Sequence, residues 1–146
     1  MNFNKDLSIF VIDDDPVCQE LYKQYLLNMG FTRISLFDNG QQCINELTRK
    51  PDIILLDHQM APMDGMETLK KIKRFDPDIY LIYISAQKDM KVAIDALKYG
   101  AFDYIIKGNL EEDLLGAIIH KIIDVMELVA KKTPGRINKF FSFFSL

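Results

Sequence analysis

Four places along the chain carry side chains that could do chemistry together: the pair Asp13-Asp14, then Asp57, Ser85 and Lys107. They directly follow the apolar runs Leu7 to Ile12, Ile53 to Leu56, Ile79 to Ile84 and Phe102 to Ile106, in that order. Three carboxylates gathered in one crevice repel each other unless a hard cation lies among them. An all-oxygen donor set with room for water suits Mg²⁺ better than zinc. A lysine and a hydroxyl beside it would hold an anionic group by charge and by hydrogen bond. A carboxylate can itself be the nucleophile toward a phosphoryl group, giving an acyl phosphate while the metal and the lysine neutralise the phosphoryl oxygens. Asp57 is the best-placed carboxylate for that role. Hiding it without a partner would cost several kcal/mol, so it must sit at a wet rim or beside a cation.

The apolar runs are the elements that must position these groups. Ile53 to Leu56, between Pro51-Asp52 and the turn-rich stretch His58 to Gly65, suits a strand buried on both faces of a parallel sheet. Asp15-Pro16 reads as a helix N-cap with proline at the first helical position. Val17, Leu21, Tyr22, Tyr25, Leu26 and Met29 then supply an apolar stripe that stops at Gly30. Thr32 to Phe37 is a second strand, and Asp38-Asn39-Gly40 starts a helix reaching Lys50. Asp64-Gly65 opens a third helix through Met66, Leu69 and Ile72, ending before Asp76-Pro77. A fourth spans Asp89 to Tyr99 and stops at Gly100. The last runs from Leu110 to Ala130, with Leu114, Ile118, Ile122, Val125 and Val129 on one face.

Five strands each followed by a helix predict a (βα)5 α/β fold, a doubly wound five-stranded parallel sheet in the flavodoxin-like order 2-1-3-4-5. Ligands bind in such sheets beyond the C-terminal strand ends, where the strand order reverses. The first and third strands are neighbours there, which brings Asp13, Asp14 and Asp57 together. At 146 residues, 49% of them hydrophobic, the chain can bury one sizeable core. Residues 1–130 read as that domain and 131–146 as a basic and aromatic tail. A net charge of -3 and a pI near 5.3 weigh against a surface dominated by nucleic-acid contact, and no direct DNA binding is expected. Cys18 and Cys43 lack metal-ligand spacing and read as reduced, buried thiols of a cytoplasmic protein. Neither a signal peptide nor a transmembrane stretch is legible.

At these spacings the chain resembles the receiver domains of two-component response regulators, over residues 6 to 130. The resemblance rests on Asp13-Asp14 after the first strand and on Asp57 followed by Met60, Met63, Asp64 and Gly65. It also rests on Ser85-Ala86, on Gly100-Ala101, and on Tyr104 three residues before Lys107. It implies that Asp57 accepts a phosphoryl group from a histidine kinase or histidine phosphotransfer protein. It further implies that Asp14, Asp57 and the backbone carbonyl of Gln59 coordinate Mg²⁺, with Asp13 holding a metal-bound water. Ser85 would hydrogen-bond the phosphoryl group and Lys107 would pair with it. Tyr104 would be the switch aromatic: phosphate draws Ser85 inward, and Tyr104 fills the vacated space. That reshapes the surface of the fourth helix, fifth strand and fifth helix for a downstream protein the sequence does not name. No catalysis is implied beyond Mg²⁺-dependent self-phosphorylation and autodephosphorylation.

The chain departs from the family pattern in three places. Ala61 stands where a proline usually follows the methionine, with Pro62 one later. Gly108 replaces the proline after the lysine, which predicts a trans peptide and a looser loop, since a cis non-proline bond costs ~3 kcal/mol. Gln59 places a side chain at the site that could alter how water reaches the acyl phosphate. Ordinary structural roles cover other polar residues. Asp15 and Asp64 read as helix caps, His58 as an exposed loop residue, His120 as a surface residue, and the methionines as core fillers.

Two further function classes compete with the signalling switch. One is a pseudo-receiver, an interaction module that never takes phosphate; the complete set of acids, hydroxyl and lysine weighs against it. The other is a flavodoxin-like cofactor enzyme, which would need a glycine- or hydroxyl-rich phosphate cradle where this chain has three aspartates. A hydrolase with an aspartyl nucleophile would usually carry a second acid where Gln59 stands. The tail, Lys131-Lys132 to Arg136 and then Phe140-Phe141-Ser142-Phe143-Phe144, is too apolar to lie free in water. Docking on a partner or back on the domain, a homodimer through the tail or through the fourth-helix surface, and contact with an anionic membrane all stay open. Protein contact is favoured, and a stand-alone receiver is expected.

Overall fold

The strands form where the aliphatic runs predict them, and their register decides which side chains share a rim. The computed structural model describes residues 6–86 and 90–132. The start of the fourth helix at Asp89 and all expectations for residues 133–146 therefore lie outside the described residues. β1 (Ser8–Ile12), β2 (Arg33–Phe37), β3 (Ile53–Asp57), β4 (Tyr80–Ser85) and β5 (Asp103–Ile106) make one parallel sheet in the order β2-β1-β3-β4-β5. Between and after them come α1 (Pro16–Asn28), α2 (Gly40–Asn45), α3 (Gly65–Phe75), α4 (Met90–Lys98) and α5 (Glu112–Lys132). This is the expected α/β architecture and strand order.

Period-2 alternation along the strands splits the core in two. Ile9, Val11, Ile53, Leu55, Ile82, Ile84 and Ile105 pack against Tyr22 and Leu26 of α1 and Leu115, Ile118, Ile119, Ile122 and Ile123 of α5. Phe10, Ile12, Ile54, Leu56, Leu81 and Tyr83 face the other way, onto Cys43 of α2, Leu69 and Ile72 of α3, and Ala96 of α4. Both faces of β1 and β3 are covered, which is why these strands read as unbroken apolar runs. No described helix is long and apolar enough to cross a membrane.

Local chemistry sets the helix starts. Asp15 caps α1 by accepting from the Val17 amide at 2.9 Å, with Pro16 in the first turn. Asn39 caps α2 and Asp64 caps α3 in the same way. Gly30 and Gly100 take positive φ (98° and 108°) just past α1 and α4, the left-handed geometry that ends a helix at little cost for glycine.

Three helix expectations need correcting. The second helix does not reach Lys50: α2 ends at Asn45, a 3₁₀ turn spans Leu47–Arg49, and Lys50, whose helical backbone Pro51 disfavours, takes a left-handed φ of 55°. Val17 and Leu21 are not part of an inward stripe on α1. Val17 is 74% exposed, and the inner face is Gln19, Tyr22 and Leu26, about half a turn round from Val17 and Leu21. On α5 the buried line is Leu115, Ile118, Ile119, Ile122 and Ile123, whereas Leu114 and Val129 are exposed. That helix also carries two residues beyond Ala130, where Lys131 and Lys132 suit the negative end of its dipole. The Lys107–Gly108 peptide is trans, and Ala61–Pro62 is cis. Residues Lys107–Asn109 form a 3₁₀ turn, so the segment is more regular than the looser loop expected.

Candidate functional site

Register converts the separate strand ends into one site. Leu56 pairs with Ile12, Asp57 with Ile84, and Ser85 with Ile106. Asp13, Asp57, Ser85 and Lys107 therefore stand at the same C-terminal rim. One oxygen from each of Asp13, Asp14 and Asp57 lies within 4.8 Å of the others. Asp13 and Asp57 are buried and Asp14 is exposed. The Lys107 Nζ spans the two buried acids, 3.1 Å from Asp13 Oδ2 and 3.3 Å from Asp57 Oδ1. Ser85 is fully buried at the end of β4. Gln59 lies in the loop two residues past Asp57, with its side chain exposed to solvent.

The electrostatics follow from this crowding. Burial, with the charge of Asp13 adding to it, pushes the Asp57 carboxyl up to about 6 despite the opposing pull of Lys107. Burial also raises Asp13, partly offset by the Asp15 amide that donates to its Oδ1 at 2.9 Å and by Lys107. Burial alone would lower Lys107, but its hydrogen bond to Asp13 and the charges of Asp57 and Asp13 carry it above its ordinary value. A pH dependence follows. The unfolded carboxyl of Asp57 has its ordinary value of 3.8 and the folded one about 6, so in between the folded chain holds more protons and stability falls as pH rises. In chelator, the melting temperature is expected to be higher near pH 5 than near pH 7. A flat or rising profile across that window would refute the assignment.

The donor set fits a hard divalent cation. All its atoms are carboxylate oxygens, they converge, and one of them, the buried Oδ2 of Asp57, has no hydrogen-bond partner among the described residues.

Two features escaped the reading of the sequence. Gln19, buried on the inner face of α1, donates through Nε2 to the Asp13 carbonyl (2.5 Å), the Phe37 carbonyl (3.1 Å) and Asp38 Oδ1 (3.0 Å). It ties the acidic loop to the end of β2. The available signal was a polar residue three and seven positions before Tyr22 and Leu26, in phase with both. Gln19→Leu is expected to cost about 2 kcal/mol, because buried carbonyls lose a donor; an unchanged urea midpoint would remove it from the site's support. The second feature corrects His58. It is half-buried rather than exposed, and its Nδ1 is paired with the hydroxyl of the fully buried Tyr83. Tyr83 in turn stacks on half-buried Tyr104, with ring centroids 6.0 Å apart and planes at 19°. Both cysteines are free: Cys43 is buried, while Cys18 is only half-buried, its thiol raised first by burial.

Comparison with known proteins adds sequence and structural likeness. The family model described as "Response regulator receiver domain" matches residues 9–119. The transcriptional regulatory protein ZraR of Klebsiella oxytoca is 39% identical over 104 residues, 70% of this chain and 23% of that protein. The DNA-binding transcriptional regulator NtrC of Escherichia coli (strain K12) is 36% identical over 100 residues, 68% of this chain and 21% of that protein. A response regulator receiver domain protein from Clostridium thermocellum superimposes with a TM-score of 0.77 at 26% identity, covering 84% of this chain and 98% of that one. A structure titled as the CheX-CheY-BeF3-Mg+2 complex from Borrelia burgdorferi gives a TM-score of 0.75 at 25% identity, over 80% of this chain and 89% of that one. The chain thus spans about a quarter of the length of the curated relatives it matches. The expectation of no direct DNA binding is overturned by these relatives, which are named as transcriptional regulators and, for NtrC, as DNA-binding. The acidic balance behind that expectation describes a chain that spans about a quarter of those relatives' length.

Proposed function

Because the chain belongs to the response regulator receiver domain family of two-component systems, we propose that Asp57 accepts a phosphoryl group from a histidine kinase or histidine phosphotransfer protein in the cytoplasm. The observation that carries this reading is a buried carboxylate with one unpartnered oxygen, set between Lys107 and two further acids. An oxygen of Asp57 forms a bond to phosphorus as the bond from phosphorus to the donor's imidazole nitrogen breaks. The imidazole leaves with the electron pair. Lys107 would follow the new negative charge, and the Ser85 hydroxyl would donate to a phosphoryl oxygen. Asp14, Asp57 and the Gln59 carbonyl would hold Mg²⁺, with Asp13 holding one of its waters. When bound, that ion supplies positive charge to the phosphoryl oxygens.

Tyr104 and Ser85 would convert the phosphorylated state into a changed surface over α4, β5 and α5, by shifting an equilibrium between two conformations. The Borrelia burgdorferi CheX-CheY complex with BeF3 and Mg²⁺ supports the metal and phosphate assignments. The relatives named as transcriptional regulators support control of transcription as the output. Beyond accepting and losing this group, the domain would have no catalytic activity. The direct test is intact mass after incubation with acetyl phosphate and Mg²⁺: a gain of one phosphoryl group is expected, and an unchanged mass would refute the proposal.

A further inference from the structure

The loop from β3 to α3 leaves Asp57 through a residue that is held at three points. The His58 amide donates to the Ile84 carbonyl at 2.8 Å, and its carbonyl accepts from the Gly65 amide at 2.8 Å. Its ring Nδ1 is paired with the Tyr83 hydroxyl. Tyr83 sits in β4 opposite Leu56, and its hydroxyl emerges just where the loop returns. A Cβ at Gly65 would stand 2.6 Å from the Asp57 carbonyl oxygen and from His58 Cα, and 3.0 Å from the Tyr83 hydroxyl. Glycine therefore lets the loop close directly over this contact. Without His58, a phenol hydroxyl in a fully buried residue would need another partner. The Tyr83 ring lies against Tyr104, so the aromatic expected to move on activation touches the residue that anchors the loop.

We propose that the Tyr83–His58 pair is a positioning contact for the metal site, fixing the loop one peptide before Gln59 and linking it through the stacked rings to Tyr104. The inference rests on the reading that the acidic cluster binds Mg²⁺. Groups that orient metal ligands from behind typically change affinity 10- to 100-fold, and this one acts through backbone, so the low end is expected.

The test is a calorimetric Mg²⁺ titration of the full chain. Tyr83→Phe and His58→Leu are each expected to weaken binding about tenfold, and the double variant no further than either single one. His58→Asn, whose Oδ1 can accept from the hydroxyl in place of Nδ1, is expected to restore affinity to within about twofold of the parent. Parental affinity in Tyr83→Phe, or losses that add in the double variant, would show that the pair only fills space. Should His58→Leu fail to fold, Tyr83→Phe and His58→Asn still decide the matter. Asp14→Ala separates the two levels. Binding in the parent that Asp14→Ala abolishes leaves the metal reading standing, so parental affinity in Tyr83→Phe then counts against this pair alone. A parent chain that takes up no Mg²⁺ would overturn both.

Discussion

Asp57→Asn is expected to lose all phosphoryl uptake from acetyl phosphate and yet to melt higher than the parent chain in metal-free buffer at neutral pH. The loss is chemical. An amide oxygen is a far poorer nucleophile than a carboxylate, and no other described acid combines burial at the rim with an unpartnered oxygen. Asp13, the other buried acid, already accepts from the Asp15 amide and from Lys107. The gain is electrostatic. With its carboxyl pushed up to about 6, Asp57 is held ionised at neutral pH against the preference of its surroundings, which amounts to roughly 3 kcal/mol with the opposing pull of Lys107 already included. Asparagine keeps the shape and the acceptor toward Lys107 without the charge. A rise in melting temperature of roughly 10 °C follows for a domain of this size. Intact mass and a thermal melt in chelator read the two effects separately. Residual phosphorylation in this variant would move the acceptor elsewhere, and a lower melting temperature would mean that Asp57 is not the strained member of the cluster.

The same crowding explains what could be seen in the sequence and what could not. Asp13, Asp57, Ser85 and Lys107 were legible because each interrupts an apolar run at its end, and a parallel sheet sends all such ends to one rim. Gln19 was not, because a polar residue between apolar ones reads as an outward position until its three acceptors are in place. The phase of α1 went wrong for the same reason: Val17 and Leu21 made a plausible stripe, and burying Gln19 turned them to solvent. His58 and Tyr83 are 25 residues apart, and nothing in the composition around either residue pairs them. Tyr83 is a core aromatic within the apolar run Ile79 to Ile84, apart from its hydroxyl. The DNA expectation failed differently, since charge was counted over a chain that spans about a quarter of the relatives' length.

Lys107→Met should produce the opposite imbalance. The lysine is the cation placed between Asp13 and Asp57, whose side chains are 1% and 3% exposed. Removing it leaves two buried like charges, with Asp14 beside them, and breaking one partner out of a buried ionic cluster typically costs about 3 kcal/mol. That is a large share of the ~5–15 kcal/mol that holds a domain of this kind together. The cost should depend on conditions in a way that a packing defect would not. Acidification toward about pH 5 protonates Asp57 and removes the repulsion, and millimolar Mg²⁺ replaces the missing charge, so either treatment should recover much of the loss. Combining Lys107→Met with Asp57→Asn should recover it too, because one fewer carboxylate is left unbalanced; the double variant is expected to be more stable than Lys107→Met alone. Chemical denaturation at neutral pH, with and without Mg²⁺, measures all three comparisons. A deficit in Lys107→Met that neither acid, nor metal, nor the second substitution relieves would mean that the lysine contributes through its aliphatic stem, and that the three acids are not held close enough to repel.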